Sequence, residues 1–222
     1  YAKQLVRDNE DFRKLLAEPD IYHEETLLRG YIIGYGTARE RNFDRALADF
    51  EQFVPLVNNW AVNDGFCVEF RVMDSFRDEF LPYIRECTMS YDEYRARVGL
   101  IMLLDHYLKI DEYGNKKPRM KKVTREDIYV NGEKATGKYL EEILSLVNRG
   151  FSGNGYYTQM AAGWLLAECF VTFPARIWEF LADKEHLRLD NVSYRKAVNK
   201  ICESLTPDKE VKLKVKKDLK QM

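Results

Sequence analysis

The chain is short of the residues that announce a metal centre or a disulfide framework. Its 222 residues hold four cysteines and three histidines, all scattered, with no C-x-x-C pair. That excludes a zinc-finger or ribbon spacing, so no metal is expected. Cys169 and Cys202 sit in apolar helical context and read as small core residues. Unpaired thiols fit a reducing, cytoplasmic compartment. Long hydrophobic runs are missing too. The richest stretch, "MAAGWLLAECFVTF", is broken by Glu168, which excludes a bilayer span, and no signal peptide is visible. Neither sign of charge dominates: 35 basic against 36 acidic residues leave a net charge of −1. Global charge therefore does not announce a nucleic-acid partner.

What is present suits a folded helical protein. At 45% hydrophobic and 32% charged, the chain is not disordered, and its length allows a sizeable core. Charge is concentrated locally. Residues 116–125, "KKPRMKKVTR", carry six basic residues and no acid. The tail 209–220, "KEVKLKVKKDLK", carries six lysines against Glu210 and Asp218. Such patches bind phosphate, or simply solvate a loop and a tail.

Helical periodicity runs through most of the sequence. Ser90 and Glu93 read as a capping box opening a helix with Tyr94, Val98, Ile101, Leu104 and Leu108 on one face. Pro174 and Pro207 suit first helical turns, with Thr206 as the cap before the second. Residues 156–171 are apolar nearly all round and predict a buried helix, entered through the loop "SGNG". The tail alternates like a strand but also spaces Val211, Val215 and Leu219 like a helix, and the helix is favoured. Strand signals are few; a small hairpin is expected over 128–135 around Asn131-Gly132. Residues 111–137 are polar and basic and read as an inserted loop, with 116–125 extending from the helical body. Helices joined by short turns suit either degenerate helical repeats or a bundle.

The stretch "NNWAVNDGFC" (58–67) spaces Trp60 and Asp64 by four, which places an indole and a carboxylate side by side on one helix face. By itself this spacing favours the plainer reading, a capped helix with a core tryptophan and a solvated aspartate. Four more stretches accompany it: "LLRGYIIGYG" (27–36), "YRARVGLIMLLDHYL" (94–108), "GYYTQMAAGWLLAECFVTFP" (155–174) and "SYRKAVNKICES" (193–204). Together, and in this order, they resemble the DNA alkylation repair family, the AlkD-like helical-repeat proteins, over residues 2 to 215 or so.

The resemblance implies an all-α fold: HEAT-like repeats forming one curved α-solenoid over residues 1–222, with a basic concave face for duplex DNA. It implies a DNA glycosylase that excises N3- or N7-alkylated purines, working as a monomer without cofactor. Asp64 matches the family's catalytic aspartate, Trp60 and Trp164 its cleft tryptophans, and Arg97 its cleft arginine, expected on a phosphate; Arg95 is the weaker match. All four are expected to converge on one surface. Lys116, Lys117, Arg119, Lys121 and Lys122 are the expected DNA contacts of the inserted loop. Read from the residues alone, Trp164 and Trp178 are core, Tyr156 and Tyr157 pack and cap more readily than they line a cleft, and Asp105 and His106 serve structural hydrogen bonds rather than a pair with each other.

The chain also departs from the family. The family's first helical segment, with a P-x-L-R pattern, is expected ahead of Ala2-Lys3, and its loss would remove part of the DNA surface. Gly65 stands where a serine is usual, which is expected to loosen the helix locally. The family also includes members that bind DNA without excision. A non-catalytic DNA-structure-binding protein and a protein-interaction solenoid therefore remain as alternatives.

Overall fold

Helices supply all the regular structure. The computed structural model describes residues 1–129 and 137–219. Among those residues there are eleven α-helices and no β-strand, only three isolated bridges. The chain divides into two compact units, Tyr1–His106 and Tyr107–Met222.

The first unit contains α1 (Ala2–Asp8), α2 (His23–Glu40), α3 (Phe43–Phe53), α4 (Trp60–Glu69), α5 (Arg77–Met89) and α6 (Glu93–Met102). Contacts between α2 and α4 run in the same direction along both helices. His23 meets Asn59, Gly30 meets Phe66, and Gly34 meets Glu69. The same holds between α4 and α6: Asn63 meets the Tyr94 carbonyl and Cys67 meets that of Val98. Alternate helices α2, α4 and α6 are therefore parallel neighbours in one layer. Gly34 makes the α2–α4 approach possible, since a Cβ there would stand 2.7 Å from the Glu69 carbonyl oxygen. Behind this layer, Phe50, Phe53, Phe66, Phe70 and Phe80 are buried, with ring centroids 4.6 to 6.2 Å apart. Each buried ring contributes roughly 1.5–3 kcal/mol.

The second unit contains α7 (Leu140–Val147), α8 (Tyr156–Phe170), α9 (Pro174–Ala182), α10 (Asn191–Glu203) and α11 (Lys209–Asp218). Here too alternate helices are parallel. Gln159 meets Asp190 and Gly163 meets Ala197 along α8 and α10. Glu141 meets Arg176 and Asn148 meets the His186 carbonyl along α7 and α9. Asp190 caps α10, accepting from Val192 N at 3.1 Å and Ser193 N at 3.0 Å, and also takes Phe151 N at 2.8 Å. Burial alone would raise its carboxyl. The N–H donors of Ser193, Phe151 and Val192 outweigh burial and hold it below its ordinary value.

Several local expectations are met. The helix over α8, its loop entry, Pro174 at the first turn of α9 and the helical tail α11 all form as the sequence implies. Two caps shift by two residues. Asp92, not Ser90, caps α6 by accepting from Arg95 N at 2.7 Å, while the Ser90 hydroxyl accepts from Asp92 N. Two good acceptors two residues apart compete, and the ionised one takes the helix. Asp208, not Thr206, caps α11, because Pro207 is drawn into a bridge with Val123. The expected hairpin centre, Asn131-Gly132, lies outside the described residues.

Residues 116–125 do not extend away. They form a strap tied to the second unit: Met120 N donates to Val171 O at 3.0 Å and Val123 N to Thr206 O at 2.9 Å. Val123 is fully buried, the one buried residue of the basic run, and it anchors the segment.

Candidate active site

Asn58-Asn59 turns the chain into α4. The Asn59 side chain accepts from Ala61 N and Val62 N, both at 3.0 Å, which fixes the helix start. Trp60 is then the first helical residue, and it is 53% exposed. It is not a core tryptophan. Asp64 follows one turn later on the same side. Its neighbour Asn63 points inward, is fully buried and donates to the Tyr94 carbonyl at 3.1 Å.

Asp64 is not a freely solvated carboxylate. Arg97, on α6, grips it through both oxygens: Nε to Oδ1 at 2.9 Å and Nη2 to Oδ2 at 2.7 Å. The Arg97 side chain is 7% exposed and that of Asp64 23%, so the carboxylate has one open side and one buried partner. This fork-to-fork geometry fixes the carboxylate plane. Arg95, two residues earlier, turns to Glu86 instead.

Gly65 has a structural reason. A Cβ there would stand 2.9 Å from the Tyr31 hydroxyl oxygen and 3.3 Å from Leu27 Cδ1. The missing side chain lets Tyr31 of α2 lie against α4 beside Asp64, and α4 runs unbroken from Trp60 to Glu69. The expected loosening is therefore offset by a close helix contact. Tyr31 escaped the sequence reading. It stood within "LLRGYIIGYG", but nothing local distinguishes it from Tyr35.

His106 forms the structural hydrogen bonds expected of it. Nε2 lies 2.8 Å from the Cys67 carbonyl oxygen and Nδ1 lies 3.2 Å from Asp74 Oδ1. Among the described residues the four cysteines form no disulfide, and three are buried. Burial pushes the Cys67 and Cys169 thiols well up, and that of Cys87 to about 11, which makes none of these three a nucleophile.

The remaining sequence candidates belong to the second unit. Trp164 is 37% exposed on α8, against the core position its apolar neighbours suggest. Tyr156 and Tyr157 are also exposed, edge to face with centroids 5.5 Å apart, and Lys196 Nζ stands 4.7 Å over the Tyr156 ring. Trp178 is partly buried beside Tyr129. Within the strap, Lys116 and Lys121 are exposed, Lys117 Nζ lies 5.0 Å over the Phe173 ring, and Lys122 lies 3.6 Å from Asp208. Arg119 reaches the Trp164 side of the unit, where it meets Glu168, Ser204 and Thr206.

Among the described residues no group of histidine, cysteine and carboxylate side chains is placed to hold a metal, and no helix is long and apolar enough to cross a membrane. A family model described as DNA alkylation repair enzyme matches residues 1–201. No curated protein and no solved structure matches the chain.

Proposed function

We propose that this chain, which belongs to the DNA alkylation repair family, is a DNA glycosylase that excises N3- or N7-alkylated purines from duplex DNA. One observation carries the reading: the Asp64 carboxylate, clamped by Arg97 and open on one side, one helical turn from a half-exposed indole. An alkylated purine is cationic and a good leaving group. The Trp60 face attracts it by roughly 0.5–2 kcal/mol. As the C1′–N bond breaks, its electron pair leaves with the base, which departs neutral. Positive charge then develops on the sugar. Asp64 stabilises that charge and accepts a proton from the water that adds to C1′. The products are the free base and an abasic site. Arg97 acts as a positioning residue, because its fork is engaged by Asp64 rather than presented to a phosphate.

Within each unit, parallel stacking of alternate helices is the packing a HEAT-like repeat produces, and we read both units so. The strap lysines and Arg119 supply cations for the DNA backbone.

The ion pair also favours a second reading. A carboxylate already satisfied by arginine serves equally as a structural tie, and the chain would then bind DNA without cutting the glycosidic bond. Incubation with duplex DNA containing N7-methylguanine and N3-methyladenine decides between them. The enzyme releases free base, and Asp64→Asn abolishes the release. A wild-type protein that releases none leaves only the binding reading.

A further inference from the structure

We propose that the hollow beside Trp164 is a phosphodiester clamp for a DNA strand, completed by Arg119 of the inserted strap. The inference rests on DNA being the partner, but not on base excision. The hollow measures about 420 Å³, and Arg119, Trp164, Glu168, Lys200, Ser204 and Thr206 lie in its wall. Arg119 Nη2 donates to Thr206 Oγ1 at 3.2 Å and, more weakly, to Ser204 Oγ at 3.4 Å. Thr206 N also donates to Ser204 Oγ, at 3.3 Å. With its lone pairs so engaged, the Ser204 hydroxyl is left with a proton to donate. A guanidinium, an ammonium and a donating hydroxyl around one hollow are the groups that grip a phosphate oxygen. Trp164 adds a flat apolar face for a sugar or base.

The clamp is held ready before any ligand arrives. Arg119 adjoins Met120, whose N–H is fixed to Val171 O at 3.0 Å. Val123 closes the strap on both sides, donating to Thr206 O at 2.9 Å and accepting from Asp208 N at 3.0 Å. Little conformational freedom remains to be lost when a strand binds.

Two carboxylates balance the cations in the free protein. Glu168 lies 3.7 Å from Arg119 Nη1, beyond hydrogen-bond reach, and Glu203 lies 3.1 Å from Lys200 Nζ. A phosphate competes with both. That competition predicts that neutralising the exposed Glu203 strengthens DNA binding.

The test is anisotropy of a labelled, undamaged duplex across a salt series, with the full chain. Each lost phosphate contact flattens the log–log salt slope by about 0.9 and weakens binding about eight-fold near 0.1 M salt. Arg119→Ala is expected to do both, Arg119→Lys to keep the slope, and Glu203→Gln to raise affinity. Because Glu203→Gln leaves the strap alone, it serves even where Arg119→Ala fails to fold. Wild-type binding with an unchanged slope in folded Arg119→Ala, or no gain in Glu203→Gln, overturns the clamp and leaves the glycosylase reading standing. Inorganic phosphate is expected to compete with the strand beyond chloride at matched ionic strength; competition undiminished in folded Arg119→Ala places the anion elsewhere and overturns the clamp. A wild-type protein that binds no DNA overturns both.

Discussion

Asp64→Asn is the substitution on which the glycosylase reading turns, and the ion pair changes what it should do. Asparagine keeps the shape and one carbonyl acceptor for Arg97 Nε, now at 2.9 Å from Oδ1. It loses the charge and the second acceptor, which Nη2 holds at 2.7 Å. A hydrogen bond to a charged group contributes about 1.5–3 kcal/mol and a neutral one about 1. The Arg97 side chain, 7% exposed, is left with little water to replace the loss. The open side of Asp64 and the retained acceptor place the cost near the low end, about 1–2 kcal/mol. For a chain of this length that lowers Tm by roughly 2–8 °C. A fall in Tm therefore accompanies both readings and separates neither. Base release does separate them. The carboxylate favours a cationic sugar that exists only near the transition state, so its removal should slow excision by about 10²–10³. Affinity for the polyanion should hold or rise, since a negative charge has gone and Arg97 is less neutralised. The assay is single-turnover release of N7-methylguanine from duplex DNA, run beside anisotropy on the same variant. Excision within about three-fold of wild type, on a scale where one electrostatic stabiliser is worth about 10²–10³, would refute a catalytic Asp64.

Three further outcomes follow from the same geometry. Trp60→Ala should lose preference for cationic bases, by up to about 30-fold on the cation–π scale, with little change in Tm because the ring is half-exposed; competition between alkylated and plain duplexes measures it. Gly65→Ala should be near neutral alone, since a helix gain of about 1 kcal/mol meets the Tyr31 hydroxyl at 2.9 Å, and should become stabilising by about 0.5–1 kcal/mol in a Tyr31→Phe background; additive urea midpoints would show that the two residues do not touch. The Asp190 carboxyl is held below its ordinary value of 3.8, so its contribution is present at neutral pH and is lost as pH falls below about 4. Asp190→Ala should therefore destabilise at pH 7 by about 1 kcal/mol and flatten the acid limb of the stability curve; an acid limb identical to wild type would remove Asp190 from that role.

The sequence alone determined what depends on near neighbours along the chain. The 3.6-residue period placed Trp60 and Asp64 on one side of α4, and it made helices of α8 and of the lysine-rich tail. Ordered stretches were enough for the family, whose model matches residues 1–201. Where two local signals competed, as at Ser90 and Asp92, the period could not choose the cap, because both residues offer an acceptor within one turn. Tertiary structure decided everything that crosses from one helix to another. It joined Asp64 to Arg97, 33 residues apart, and set the guanidinium fork on a carboxylate where a phosphate was expected. It left Trp164 at the surface of an almost wholly apolar helix, because the neighbours of α8 do not cover that side. It folded the basic run down onto the second unit through one buried valine. The physical reason is the same each time: a side chain's face on its own helix is set by backbone geometry, but whether that face meets water, a ring or a guanidinium is set by what packs against it.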